Sequence, residues 1–398
     1  MTDFHAAPDF WFRKQLKWAV TFQRGHDLPD DAREDGPVPV YAGGGITGWH
    51  KEACAPPPGI VTGRYGTIGE FHLVSTPYWP LNTALYSIDL HDNDPEYLRY
   101  LLEFLAPLFH VHAGKSAVPG VDRNDIHTIP VALPRRKQQG QVAAFLGSET
   151  RRIDCLLQAK QRVLDLLAEK RKAIIATAVT RGLDPRVKLR DSGLSWLGEI
   201  PAHWDLMRMK YLFRLVVDKS PVDNDFELLS LYTDVGVKPR RELEERGNKA
   251  SSTDEYWLVQ PGDLVVNKLL AWMGAFGVSE YRGVTSPAYD ILRPHNGVES
   301  FFYHHLFRCG VATTEVRARS YGIMDMRLRL YFDRLGDMYV PFPPLDEQRT
   351  IVEQIARETT KLDAVRAATK RTIALLKERR SAPIAAAVTG QLDVGTAA

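Results

Sequence analysis

The chain has few cysteines and no long apolar run. Its three cysteines, Cys54, Cys155 and Cys309, are far apart, so neither a zinc knuckle nor a disulfide scaffold is indicated. No stretch of about 18 apolar residues occurs, and the first residues lack the apolar core of a signal peptide. We therefore expect a soluble protein of the reducing cytoplasm.

An excess of charge of one sign is also missing. Lys and Arg number 51 against 49 Asp and Glu, which gives a formal net charge of +2. Any nucleic-acid surface must therefore arise from local clusters of cations. The length of 398 residues, with 44% hydrophobic and 25% charged residues, predicts two or more globular domains.

The sequence contains no complete catalytic or metal-binding motif. PFPP at 341–344 lacks the Asn or Asp of an amino-methyltransferase motif. Gly114-Lys115-Ser116 resembles the end of a P-loop, but Phe109 stands where a Gly is needed. The histidine pairs 110/112 and 304/305 lack the spacing and the neighbouring ligands of a zinc site. We expect a chain without catalytic residues, metal or cofactor of its own.

A repeat is the most informative feature that is present. A shift of 209 positions places residues 131–184 on residues 340–393 without a gap, and the matches include Leu166-Leu167 with Leu375-Leu376 and Arg171 with Arg380. Residues 139–179 and 348–388 are rich in Ala, Leu, Arg and Lys, and their central stretches lack Gly and Pro. Both copies are therefore predicted to be long helices.

Apolar residues follow alternating steps of three and four in the first helix, apart from polar Glu149, Lys160 and Lys170, and apolar residues of the second helix hold the same frame. This spacing is typical of a coiled-coil seam. The predicted seam comprises Leu146, Ile153, Leu156, Val163, Leu167, Ile355, Leu362, Val365 and Leu376. We expect the helices to pack as an antiparallel coiled coil with pseudo-two-fold symmetry, about 60 Å long. The alternative is that each stripe packs on its own globular domain.

The segments that precede the helices have short β-rich runs punctuated by Gly and Pro, and each contains an amphipathic helix. They predict an α/β (α+β) fold of mixed strands and helices. The expected plan is a first recognition domain at 1–133, a spacer helix at 134–184, a second recognition domain at 185–342, a spacer helix at 343–393 and a tail at 394–398. The two segments are weakly similar: Trp11 and the following LKW correspond to Trp204 and the following MKY. This similarity indicates two divergent recognition domains on a shared scaffold.

Local clusters of cations give the candidate DNA contacts. Residues 301–334 hold six Arg against three acids, with Tyr321 and Tyr331 among them. Arg64 and Lys268 each follow a predicted strand and precede glycines that permit a close backbone approach. The complete predicted set is Arg64, Lys115, Arg123, Lys268, Arg319, Tyr321, Arg327 and Arg329. The alternatives are solvated charged faces and structural strand corners.

The chain resembles the specificity subunits of type I restriction-modification systems. The strings that carry the resemblance are WLGEIPAHW (196–204), QPGDLVVNKLLAWMGAFGVS (260–279) and VPFPPLDEQRTIVEQI (340–355). The first helix departs from the family pattern because RRKQQ (135–139) lacks the acidic pair of LDEQ. The resemblance implies two target-recognition domains and two spacer helices, double-stranded DNA as ligand and two modification subunits as partners. It further implies S-adenosylmethionine in the modification subunit and an association with restriction subunits.

The expected function is therefore to read a bipartite, asymmetric DNA target and to direct an adenine methyltransferase, with restriction subunits, to it. Identical readers would instead require a palindromic target. Two alternatives remain open at this point. The chain could be a coiled-coil scaffold without sequence reading, or a DNA-processing enzyme of a related defence system.

Overall fold

The computed structural model describes residues 7–114, 120–233, 235–242, 253–322, 328–392 and 394. Lys115 and Arg327 of the predicted DNA contacts lie outside these residues. The chain forms two compact units. Unit 1 comprises Met1–Arg162 and Thr369–Ala398, and unit 2 comprises Val163–Ala368. Each unit thus contains one recognition segment and a part of both long helices.

The first half of the chain contains nine strands among its described residues: β1 (Phe12–Gln15), β2 (Thr21–Arg24), β3 (Val38–Ala42), β4 (Gly45–His50), β5 (Gly59–Gly63), β6 (Phe71–Val74), β7 (Trp79–Pro80), β8 (Ala84–Asp89) and β9 (Pro130–Leu133). Its helices are α1 (Pro95–Ala113), α2 (Arg123–His127) and α3 (Arg136–Arg181). The predicted first long helix is therefore confirmed as α3.

The second half continues with β10 (Leu189–Asp191), β11 (Glu199–Pro201), β12 (Asp205–Arg208), β13 (Phe213–Val216), β14 (Leu229–Tyr232), β15 (Gly236–Pro239), β16 (Trp257–Val259), β17 (Leu264–Asn267), β18 (Phe276–Val278), β19 (Gly283–Thr285), β20 (Tyr289–Pro294) and β21 (Tyr339–Phe342). Its helices are α4 (Met209–Leu212), α5 (Ser300–Arg308), α6 (Thr313–Ala318), α7 (Phe332–Gly336) and α8 (Leu345–Val388). The second long helix is confirmed as α8.

The two recognition segments share one sheet plan. In unit 1 a four-stranded sheet has the order β2-β8-β5-β6, and in unit 2 the order is β13-β20-β17-β18. Neighbouring strands are antiparallel in both sheets. A two-stranded sheet precedes each long helix, with Phe12 opposite Leu133 in unit 1 and Asp205 opposite Phe342 in unit 2. The predicted α/β fold is confirmed, and the duplication extends into the recognition segments.

The ends of the long helices belong to the cores of the recognition segments. In unit 1, Val142 and Leu146 of α3 share a buried cluster with Ile384 and Val388 of α8 and with the apolar face of α1. In unit 2, the corresponding cluster combines the end of α3 with the start of α8. An amphipathic helix in a protein gains most of its stability from such packing. The apolar stripes therefore anchor both helices to globular cores.

Two matching ion pairs connect the long helices, one inside each unit. In unit 1, Arg380 donates from Nε to Asp154 at 2.6 Å and from Nη1 to Glu103 at 2.7 Å. In unit 2, Arg171 donates to both carboxylate oxygens of Asp363 at 2.8 Å. Because Arg171 and Asp154 lie 209 positions before Arg380 and Asp363, the two pairs are copies within the repeat.

The helix segments inside unit 1 run antiparallel. From Val142 to Asp154 along α3, the residues of α8 that share the core or the ion pair run backwards from Val388 to Arg380.

Burial along the predicted seam is uneven. Leu146 and Ile355 are fully buried, and Ile153, Leu167, Leu362 and Leu376 are half-buried, whereas Leu156, Val163 and Val365 are exposed. Coiled-coil packing along the whole seam stays a prediction.

No helix in the described part of the chain has the length and apolar character needed to span a membrane.

Replacing Arg380 by Met should lower the free energy of unfolding. Burial alone would lower the pKa of Arg380, but Glu103 and Asp154 raise it above its usual value. The Met variant leaves the mostly buried Glu103 with less compensation, so we expect a loss of about 2 kcal/mol. Arg171→Met removes a more exposed pair and should cost less than about 1 kcal/mol. Urea unfolding measures both losses.

Arg379→Met is the matched control because Arg379 is the exposed neighbour of Arg380 on the same helix. Equal losses in the Arg379 and Arg380 variants would contradict a specific stabilising role for the Arg380 ion pairs.

Candidate nucleic-acid interface

In unit 1, three arginines from distant parts of the sequence line one cleft. Arg24 ends β2, Arg64 follows the last residue of β5, and Arg123 is the first residue of α2. Gln23, His26 and Asn124 contribute further polar side chains to the cleft. Arg64 and Arg123, which the sequence predicted as DNA contacts, are thus brought together with Arg24, which it did not predict.

Close packing of loops holds Arg64 in this place. Its backbone N–H donates to Thr83 and its carbonyl accepts from Val121, both at 3.0 Å. Gly43 and Gly44 form the tip of the β3–β4 hairpin, where a Cβ on Gly43 would lie 2.3 Å from Cα of Gly63. The hairpin tip therefore packs directly against the strand end that presents Arg64, which requires a residue without a side chain.

Tyr65 supports the Arg64 side chain. The guanidinium carbon of Arg64 lies 4.9 Å from the centre of the Tyr65 ring, which is a cation–π distance. The ring packs on Gly120, since a Cβ there would approach the ring to 2.4 Å. The arrangement presents a cation and an exposed aromatic ring side by side.

The charge balance of the cleft is positive. Within the described residues, Arg24, Arg64 and Arg123 make no ion pair, whereas both acids of the cleft accept hydrogen bonds. Asp122 accepts from the backbone N–H of Asn124 at 2.7 Å, and Asp27 accepts from Asn82. A group of unpaired guanidinium groups is suited to phosphate oxygens or guanine edges.

In unit 2, Lys268 holds the position after β17 that corresponds to Arg64 after β5. The carbonyl of Lys268 accepts from Leu330 at 2.9 Å, as that of Arg64 does from Val121, and Leu330 lies 209 positions after Val121. The Lys268 ammonium, however, donates to the Pro287 carbonyl at 2.8 Å and lies 3.3 Å from the Asp290 carboxylate. Lys268 therefore also has a structural role.

One cluster of exposed aromatic and cationic groups in unit 2 lies on the segment before α7 and on α7 itself. Tyr321 and Arg329 pair through two backbone hydrogen bonds of 2.9 and 2.8 Å, and both side chains are exposed. Arg334 lies over the Tyr321 ring, with its guanidinium carbon 4.9 Å from the ring centre, and donates to the Tyr321 hydroxyl. Arg319 donates to Glu315 at 2.6 Å. This half of the chain thus presents a Tyr–Arg pair that differs in position from that of unit 1.

Arg24, Tyr65 and Arg334 were not among the predicted contacts, and their signals in the sequence were weak. Arg24 precedes Gly25, where a Cβ would lie 2.2 Å from the carbonyl oxygen of Leu81. A cation beside a glycine at a strand end was the criterion that selected Arg64. Applied to β2, the same criterion would have selected Arg24. The DNA-binding roles of all these residues stay predictions.

The histidine pair of unit 2 is mostly buried. His304 accepts a hydrogen bond from the Val278 N–H at 3.3 Å, and burial holds its pKa well below the usual value. Burial, together with the charges of Arg171 and Arg308, lowers the pKa of His305 to about 4. Among the described residues, no group of three or more His, Cys, Asp or Glu is arranged to hold a metal ion.

Comparison with known proteins gives a sequence relative of part of the chain. No protein-family model matches the chain. The specificity subunit of the type I restriction enzyme MjaVIII of Methanocaldococcus jannaschii is 24% identical over 117 residues, which are 29% of this chain and 26% of that protein. The match therefore spans about a quarter of the relative's length.

Solved structures resemble the chain over nearly its whole length. A chain from a structure on complex assembly and conformational transition of the type I R-M system has a TM-score of 0.58 and 18% identity, and the match covers 97% of this chain and 99% of the other. The HsdS subunit from Thermoanaerobacter tengcongensis has a TM-score of 0.42 and 16% identity, with 97% and 98% covered. The first similarity establishes the fold. The resemblance that the sequence motifs indicated is confirmed.

Neutralising Arg123 should weaken DNA binding and its dependence on salt. If Arg123 contacts one phosphate, Arg123→Gln should reduce the slope of log affinity against log salt by about 0.9. Fluorescence anisotropy with labelled duplex at several salt concentrations measures this slope. Arg186→Gln is the control because Arg186 is 92% exposed and lies outside the cleft. Identical slopes for the two variants would contradict a phosphate contact at Arg123.

Replacing Lys268 by Met should destabilise the protein more at pH 8 than at pH 4. Burial raises the pKa of Asp290, and the charge of Lys268 opposes that rise. Without Lys268 the folded-state pKa should rise further, so stability is retained at low pH and lost as pH rises through the folded-state pKa. We expect a loss of about 1–3 kcal/mol at pH 8 from urea unfolding. A loss that does not depend on pH would contradict this role for the ion pair.

Proposed function

We propose that this chain is a non-catalytic, sequence-specific DNA-binding specificity subunit of a type I restriction-modification complex. The observation that carries the proposal is a duplicated sheet plan that presents unlike side chains. Arg24, Arg64 and Arg123 line the cleft of unit 1, whereas Tyr321, Arg329 and Arg334 cluster in unit 2. The similarity to a type I R-M structure over 97% of the chain supports the same assignment.

The target is proposed to be bipartite and asymmetric. Each recognition domain contacts one half-site of double-stranded DNA, and the differences between the two sets of cations and aromatic rings make the half-sites different. Arginine can bind guanine through two hydrogen bonds, and exposed tyrosine adds packing against sugars or bases. An identical pair of readers would require a symmetric target.

Two modification subunits and further restriction subunits are the proposed partners. The long helices expose apolar side chains that a partner would cover: Leu156 and Leu375 in unit 1, and Val163, Leu166 and Val365 in unit 2. Exposed apolar patches often mark protein–protein contacts. S-adenosylmethionine and the chemistry of adenine methylation are assigned to the modification subunit. The complex is proposed to act in the cytoplasm.

The test is to co-express the chain with its modification subunit and to map modified adenines over a genome by single-molecule sequencing. A bipartite motif that is methylated only when this chain is present is the expected result. Omission of the chain and omission of the modification subunit are the two controls.

Methylation of the same motif by the modification subunit alone would overturn the assignment. A stable complex that methylates without sequence preference would instead support a scaffold, and turnover of DNA by the purified chain alone would support an enzyme.

A further inference from the structure

Two glutamines occupy equivalent positions in the repeat and are buried. Gln139, near the start of α3, is 2% exposed, and Gln348, near the start of α8, is fully buried. They are 209 positions apart. A buried amide needs partners for both its oxygen and its nitrogen, so the contacts of these side chains indicate what they hold in place.

In unit 1, Gln139 connects the start of α3 to the start of α1. Its Oε1 accepts from the backbone N–H of Asp94 at 2.8 Å. Its Nε2 donates to Oδ1 of Asn93 at 2.8 Å and to the carbonyl of Pro134 at 3.0 Å. Asp94 in turn caps α1 by accepting from the N–H of Tyr97 at 3.0 Å. One amide therefore ties the cap of α1 to the bend between β9 and α3.

In unit 2, Gln348 makes the same connection. Its Oε1 accepts from the backbone N–H of Glu299 at 2.9 Å, and Glu299 caps α5. Its Nε2 donates to the carbonyl of Pro343 at 2.8 Å and to that of Gly297 at 3.4 Å. Pro343 lies 209 positions after Pro134. Both halves thus retain the same cap-to-bend link although their other side chains have diverged.

The chemistry of the link requires a neutral amide. The oxygen accepts from a backbone N–H while the nitrogen donates to a carbonyl, so glutamate could satisfy only the first contact and methionine neither. Each link joins a helix of the recognition domain to the first turn of a spacer helix. A rotation of the domain about the bend would have to break these hydrogen bonds.

We infer that Gln139 and Gln348 are positioning residues that fix the angle between each recognition domain and its spacer helix, and thereby the gap between the half-sites. The inference rests on the proposed function. The amides do not contact DNA themselves and act through α1 and α5. Loss of one link should make the complex tolerant of gaps one base pair longer or shorter than the normal gap.

The experiment uses the complete complex with the variants Gln139→Met and Gln348→Met, and maps methylation on a library of targets that differ only in gap length. Each variant should increase methylation at gaps of plus or minus one base pair, relative to the normal gap, by about threefold or more. Gln139→Glu, which keeps the acceptor, should give an intermediate increase. Gln138→Met is the control, since Gln138 is exposed on the same turn of α3.

Hydrogen exchange provides a second readout in the same samples. Gln139→Met should accelerate exchange at the amide of Asp94 and leave that of Glu299 unchanged, and Gln348→Met should do the reverse. Lower methylation at all gaps in equal proportion would overturn the inference and indicate general destabilisation. Absence of chain-dependent methylation in the unaltered complex would instead refute the proposed function.

Discussion

Burial of the helix ends is the constraint on which the rest of the structure depends. A helix of 46 residues such as α3 cannot bury its own apolar stripe, so it must pack against other elements. Val142 and Leu146 enter the core that contains α1, and Ile351 and Ile355 enter the core that contains α5. Each recognition domain therefore stabilises the helices that carry it. Without those cores, the exposed and charged middle of each helix would contribute little to the stability of the helix.

The duplication explains why divergence could proceed in one part of the chain and not in another. Equivalent apolar positions at the helix ends, such as Val142 and Ile351, are buried in both halves, and the Gln139 and Gln348 links serve the same junction between domain and spacer. The strand ends near Arg64 and Lys268 share a backbone arrangement but differ in side chain and in charge pairing. A scaffold with a fixed junction and variable strand ends can present two unlike surfaces to one ligand.

Electrostatics separates the cations of structural importance from those free to bind. Arg380 and Lys268 neutralise mostly buried carboxylates, and their removal leaves those charges with less compensation. Arg24, Arg64 and Arg123 have no such partner in the described part of unit 1. Arg24, Arg64 and Arg123 therefore form a local cluster of positive charge in a chain whose net charge is only +2.

The sequence by itself determined the repeat, the two long helices, the α/β class and the family resemblance, because each of these rests on the order of neighbouring residues, which can be read without knowing how distant segments pair. Tertiary structure alone decided which cations meet. Arg64 and Arg123 share a cleft through strand order, and Lys268 faces Asp290 because β17 pairs with β20. It also decided that Gln139 reaches Asp94, 45 residues away. Such contacts depend on pairings between distant segments, which no local pattern encodes.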